Sequence, residues 1–195
     1  SSPSRGLGDV YKRQQQIIVV NSSGALAGQT FNAGSSDMTG FELETKYAVT
    51  DNILIDFSYY SAETEFKSFE LTDTRPPLSF TGNKMNYSPE SSYNVGLTIY
   101  SDDDSSVFTM SYSQKDSYFM DPSNRFVSEQ PAYGLLNMSY IKDFNDNLQM
   151  KIFCTNCTDE IYLTQVTTFA VQFGGGGRNY YANGNRVGLE VTYSF

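Results

Sequence analysis

The sequence predicts an all-β fold: about eight antiparallel strands running up and down, as in a transmembrane β-barrel. Three observations carry that prediction. Apolar and polar residues alternate with period two, the spacing of a strand with chemically different faces, and the pattern recurs eight times from Ile17 onward. The connections are alternately short and long, the plan of an up-and-down barrel whose two ends differ. No segment carries a convincing amphipathic helix, and the longest uncharged apolar run, Ile17 to Val20, falls far short of the roughly 20 residues a membrane helix needs.

Composition narrows the chemistry. Aromatic residues make up 15 % of the 195 residues, too much sticky surface for a disordered chain. Histidine is absent, which removes Ser-His-Asp and Cys-His catalysis and imidazole metal ligation within these residues. A net charge of −9 has the wrong sign for gripping phosphate backbones, so nucleic acid is not an expected partner.

Along the chain, Ser1 to Gln14 (SSPSRGLGDVYKRQ) lacks apolar periodicity and the apolar stretch of a signal peptide. It resembles the translation of a sequencing adapter, and residues 1–14 are expected to be a non-native, disordered leader; 15–195 is then the structural region. Gln16 to Ser22 is the least regular strand. Phe41, Leu43, Tyr47 and Val49 then alternate with Glu42, Glu44 and Lys46, and Ile53, Ile55, Phe57 and Tyr59 with Asp56 and Ser58. Tyr93, Val95, Leu97 and Ile99 oppose Asn94, Gly96 and Thr98, and Phe108, Met110 and Tyr112 oppose Thr109, Ser111 and Ser113. Ala132 to Ile141 and Leu148 to Cys154 continue less cleanly. Arg186 to Phe195 is the clearest strand, apolar at every odd position and polar or Gly at every even one.

Thr50-Asp51-Asn52, Ser101 to Ser105 and Asn145-Asp146-Asn147 read as tight polar hairpin turns. Gly24 to Asp37, Ser61 to Pro89, Phe119 to Pro131 and Thr158 to Gly184 read as long links. In outer-membrane barrels the short turns are periplasmic and the long loops extracellular, which places Phe195 with the turns. Tyr47, Tyr59, Tyr60, Tyr112, Tyr140 and Tyr193 fall near expected strand ends, where an amphipathic ring suits the membrane interface. A soluble β-sandwich has the same periodicity, but compact domains rarely hold structureless links of this length.

Four stretches in order resemble the C-terminal barrel of TonB-dependent outer-membrane receptors: Gly40 to Tyr59, Asn83 to Tyr93 with Ser88-Pro89-Glu90-Ser91, Phe153 to Tyr162, and Gly184 to Phe195. Cys157 departs from the family's usual Leu. The resemblance implies a 22-stranded barrel of which these strands are a part, with a plug and a TonB-contacting box upstream. It implies import of a scarce ligand such as a ferric siderophore, cobalamin or an oligosaccharide, and no enzymatic activity. It also implies residence in the bacterial outer membrane, contact with its lipid, insertion by the barrel-assembly machinery, and coupling to TonB through segments outside this chain. Leu189, Val191, Tyr193 and Phe195 match the membrane-targeting ending of such barrels.

Other motifs read more plainly. Cys154-x-x-Cys157 lacks the helix N-terminus of a redox site and the further ligands of a zinc site, leaving strand-end thiols or a local bridge that needs the strand to break near Thr155. Gly174 to Gly177 reads as a loop tip, and Asp102-Asp103-Asp104 as a solvated turn. No cofactor or metal is expected. A small-molecule ligand would meet aromatic or basic residues of the long loops: Tyr87, Arg125, Phe126, Arg178, Tyr180 and Tyr181. The alternatives are a complete eight-stranded outer-membrane protein with structural or adhesive duties, a soluble carbohydrate-binding β-domain, and, last, an outer-membrane hydrolase.

Overall fold

The computed structural model describes residues 16–20, 28–32, 34–71, 77–167 and 178–195. It opens with a hairpin of β1 (Gln16–Val20) and β2 (Gly28–Asn32). Two long strands follow, β3 (Ser35–Thr50) and β4 (Ile53–Ser68), then a small hairpin of β5 (Glu70–Leu71) and β6 (Leu78–Ser79). Next come β7 (Ser91–Tyr100), β8 (Ser106–Lys115), β9 (Tyr118–Phe119), a 3-10 turn at Phe126–Ser128 and β10 (Glu129–Gln130). The chain continues through β11 (Tyr133–Asn145), β12 (Leu148–Thr155), β13 (Leu163–Thr167), β14 (Arg178–Tyr181) and β15 (Arg186–Tyr193).

Seven strands form one sheet in the order β3-β4-β7-β8-β11-β12-β15, and every adjacent pair is antiparallel. Once the short loop hairpins are set aside, the chain simply winds up and down. The register keeps chemistry segregated. One row of directly opposed residues runs Tyr47, Ile55, Leu97, Met110, Met138, Cys154 and Val187 across all seven strands. The neighbouring row on the other face runs Lys46, Asp56, Gly96, Ser111 and Asn137. A one-residue slip anywhere would invert this assignment, so the apolar pattern itself holds the register.

No second sheet covers the apolar face among the described residues; the strands chiefly contact their hydrogen-bonded neighbours. Tyr47 is 66 % exposed and Val187 75 %, although both lie on that face. The protein core sits elsewhere, at the loop end, where Phe66, Phe69, Leu71 and Met85 are buried and Phe80 packs against them. Phe66 and Phe69 meet edge to face with centroids 5.2 Å apart, and Phe69 meets Phe80 at 5.0 Å.

The three short turns lie together with the C-terminus. Tyr100 donates its backbone N–H to Asn52, and the Asn52 amide donates to Asp102 Oδ1 at 2.7 Å. Asp143 N–H bonds the Ser105 carbonyl, Lys142 Nζ bonds Ser105 Oγ, and Ser194 and Asn147 exchange two bonds. The expected separation of a turn end from a loop end is therefore present.

Several boundaries differ from the sequence reading. The sheet has seven strands, because the segment read as the first strand pairs with β2 in a separate hairpin. β3 begins at Ser35 and β4 continues to Ser68, so much of the Gly24–Asp37 and Ser61–Pro89 links is paired strand. Residues 61–68 are polar or small on one face and nearly so on the other, which hides a strand that has left the apolar layer. A strand of 16 residues spans about 53 Å, well beyond the roughly 30 Å of bilayer hydrocarbon. Tyr59 and Tyr60 consequently lie mid-strand in β4, not near its end. The links Phe119–Pro131 and Thr158–Gly184 likewise hold hairpins, β9 with β10 and β13 with β14. Residues 1–14 and Gly174 to Gly177 lie outside the described residues.

Candidate functional site

The ordered loops at the end opposite the turns form the site. Three segments build it. In the first, Asn83 sends its amide to the Pro122 carbonyl at 2.8 Å, and Lys84 and Asn124 exchange bonds at 2.7 and 3.0 Å. Tyr87 donates its backbone N–H to Phe119 at 2.7 Å, in a left-handed conformation (φ 56°) that a non-glycine residue adopts only where its surroundings hold it. The segment before β7 is thereby tied to the loop between β8 and β11.

That second loop is compact. Met120 N–H bonds the Ser128 carbonyl, and Ser128, fully buried, sends both its N–H and its hydroxyl to the Arg125 carbonyl at 2.8 Å. Gln130 is only 2 % exposed; its Oε1 accepts the Leu163 N–H at 2.6 Å, and its amide donates to Pro131 at 2.7 Å. This side chain joins the second loop to the third. Tyr133 and Tyr162 reinforce the joint, stacked 7° from parallel with centroids 4.4 Å apart.

The third segment starts where β12 stops at Thr155. Asn156 and Asp159 both take left-handed φ, which their short polar side chains tolerate. Asn156 braces the turn, donating to the Glu160 carbonyl and accepting its N–H, each at 2.9 Å. Asp159 Oδ1 accepts the Asn185 N–H at 2.8 Å, so the start and finish of the segment are clasped. Cys154 and Cys157 are disulfide-bonded across this break, the local bridge among the alternatives the spacing leaves open.

Between the second and third segments lies a cleft of about 510 Å³, within the usual range for small-molecule sites. Phe126, Val127, Pro131, Ile161, Leu163 and Tyr181 give it apolar walls, and Glu129 and Glu160 contribute carboxylates. Outside the lining, Tyr87 and Tyr118 of β9 approach with centroids 6.2 Å apart. Burial pushes both phenols above their ordinary pKa, with Asp121 adding to the effect at Tyr87, so both stay neutral donors at physiological pH.

The structure brings together two of the six loop residues singled out from sequence, Phe126 and Tyr181. Arg125 begins the 3-10 turn and donates Nε–H to Ser123 Oγ, away from the lining. Tyr180 pairs in β14 and its carbonyl accepts the Thr164 hydroxyl. Tyr87 stands apart on Tyr118. Arg178 pairs through its backbone with Thr167, and its side chain lies outside the described residues. Glu129, Gln130, Glu160 and Ile161 were not legible as site residues, since they come from segments about thirty residues apart with no shared spacing. At the other end, Leu189, Val191 and Tyr193 face the same side of β15 opposite Ile152, Met150 and Leu148, and the Tyr193 ring contacts Phe195 at 5.1 Å. Among the described residues no group of three or more Asp, Glu, His or Cys could hold a metal ion.

A meandering sheet with one oily and one polar face, turns at one end and braced loops at the other, defines a length of up-and-down β-barrel wall. The family model described as TonB dependent receptor-like, β-barrel, matches residues 9–157, and the chain belongs to that family. No curated protein matches the chain. Among solved structures it resembles the ferric yersiniabactin uptake receptor FyuA of Yersinia pestis, at TM-score 0.71 and 20 % identity over 86 % of this chain and 25 % of that one. It also resembles the siderophore receptor PiuA of Acinetobacter baumannii, at 0.67 and 18 % over 81 % and 22 %. The ferripyoverdine receptor of the outer membrane of Pseudomonas aeruginosa aligns at 0.59 and 12 % over 93 % and 23 %. The chain spans about a quarter of the length of these structures.

Proposed function

We propose that this chain is part of the barrel of a TonB-dependent outer-membrane receptor that imports a scarce ligand, a ferric siderophore, cobalamin or an oligosaccharide, into the periplasm. The observation that carries this reading is the apolar face, continuous through seven registered strands and left uncovered by any of the described residues. In hydrocarbon that face is satisfied, and closure of the wall satisfies every backbone N–H and C=O where lipid cannot. β3 and β15 each have one edge unpaired among the described residues, as strands of a larger wall would. The polar face lines the lumen, and the loop cluster with Tyr87, Arg125, Phe126, Arg178, Tyr180 and Tyr181 captures ligand outside. The ending Leu189, Val191, Tyr193 and Phe195 addresses the barrel-assembly machinery. Energy from TonB enters through segments other than these, and the role of this chain is transport, not catalysis.

Two measurements test it. The full chain mixed with lipid vesicles floats with them in a density gradient and migrates differently on a gel before and after heating; a chain left in the aqueous fraction defeats the membrane assignment. In cells producing the receptor that contains this chain, Phe126→Ala with Tyr181→Ala lowers uptake of one labelled ligand from the three classes. Unchanged uptake of all three defeats the assignment of capture to these loops.

A further inference from the structure

We propose that the loop cleft selects, within the ligand classes named above, a member that presents an ammonium group beside an apolar portion. The inference rests on the reading that these loops capture the ligand, and it names the chemistry they select. Phe126 is 88 % exposed, Ile161 74 % and Tyr181 58 %, so the cleft presents large apolar and aromatic surface that water covers poorly. Two carboxylates, Glu129 and Glu160, stand in the same lining. Neither has an ion-pair partner among the described residues, whose ion pairs are Lys67 with Glu65 and Lys84 with Glu90.

No basic side chain shares the described lining. Arg125, next in sequence to Phe126, is turned to Ser123. An entering anion would meet two carboxylates with no basic side chain of the described lining to offset them. An entering cation gains from both, in a cleft whose apolar walls lower the effective dielectric. The same cation is attracted by the negative faces of the Phe126 and Tyr181 rings, the means by which aromatic cages hold quaternary ammonium groups. Carboxylates and rings thus favour one sign of charge, and the apolar walls favour a body that is not itself heavily hydrated.

The probes are phenyltrimethylammonium and its uncharged isostere tert-butylbenzene, with benzoate as the anion, titrated against the full chain in lipid nanodiscs. Tyrosine fluorescence and chemical-shift changes at Ile161 and Tyr181 report occupancy. The cation binds at least about tenfold more tightly than the isostere, and benzoate does not bind. Glu129→Gln with Glu160→Gln removes that tenfold preference while leaving the weak binding of the isostere. Equal affinity for cation and isostere, tighter binding of benzoate, binding of neither probe, or a preference untouched by the double substitution overturns the proposal. The membrane and transport reading fails separately, by the vesicle and uptake measurements, so the two failures are distinguishable.

Discussion

Replacing Leu97 by Arg sets the apolar face against the medium it touches. Leu97 lies in the middle strand region between Tyr93 and Tyr100, in the row shared with Ile55 and Met110. Its neighbour in sequence, Thr98, opposes Thr109 on the other face. If the apolar face meets hydrocarbon, an Arg at mid-depth costs about 2–4 kcal/mol. That corresponds to about a 30- to 1,000-fold loss in the folding equilibrium. Thr98→Arg adds the same charge and bulk to the polar face and costs less than about 1 kcal/mol, since a lumen-facing cation keeps its water. The assay is urea-dependent folding into phosphatidylcholine vesicles, read as the fraction of gel-shifted, heat-sensitive species. A Leu97→Arg chain that folds like the parent, or a Thr98→Arg chain equally impaired, would refute the assignment of faces.

Phe66→Ala removes a fully buried ring from the loop core and lowers stability by about 3–5 kcal/mol in the same urea titration. Gln130→Leu strands the Leu163 N–H, costs about 1–3 kcal/mol locally, and speeds amide exchange across 161–167 while leaving β7 and β8 protected. The Asp103 carboxyl is held well below the usual carboxylate range by the hydroxyls of Ser101 and Ser105 and the Ser105 N–H. Because its folded value is depressed, that stabilisation is full above the unfolded value of about 3.9 and fades as pH falls through the folded one. The stability difference between the parent and Asp103→Ala therefore holds at pH 6 and shrinks toward pH 2; a difference that grows on acidification reverses the sign. Gly40→Ala places a Cβ 2.2 Å from the Ser61 carbonyl oxygen, a backbone atom that cannot swing away, so it costs about 1–3 kcal/mol.

The sheet was readable because its physics is repetitive. Phe41, Ile55, Val95, Met110 and Val191 each belong to an every-second-residue apolar series within their own strand, and the Asp/Asn turns set direction, so strand identity and face follow from spacing alone. The upper half of β4 was not readable, because Glu63, Glu65 and Lys67 face solvent and the opposite parity carries Phe66 into a protein core, not a lipid layer. The cleft was half readable. Phe126 and Tyr181 stand out as exposed aromatic residues in loops, whereas Glu160 and Ile161 depend on the turn that Asn156 braces, a long-range arrangement with no periodic trace.

The identity of the medium against the odd-numbered side chains of β7 and β15 can be measured with single fluorescent labels on cysteines introduced at Val95 and Leu189, and at Asn94 and Glu190. Cys154 and Cys157 are bridged and do not compete for label. In vesicles doped with nitroxide lipids, the first two labels are quenched by the lipid and shielded from aqueous iodide, and the second two behave oppositely. Labels at Val95 and Leu189 that iodide quenches and nitroxide lipid does not would contradict a barrel wall in a membrane.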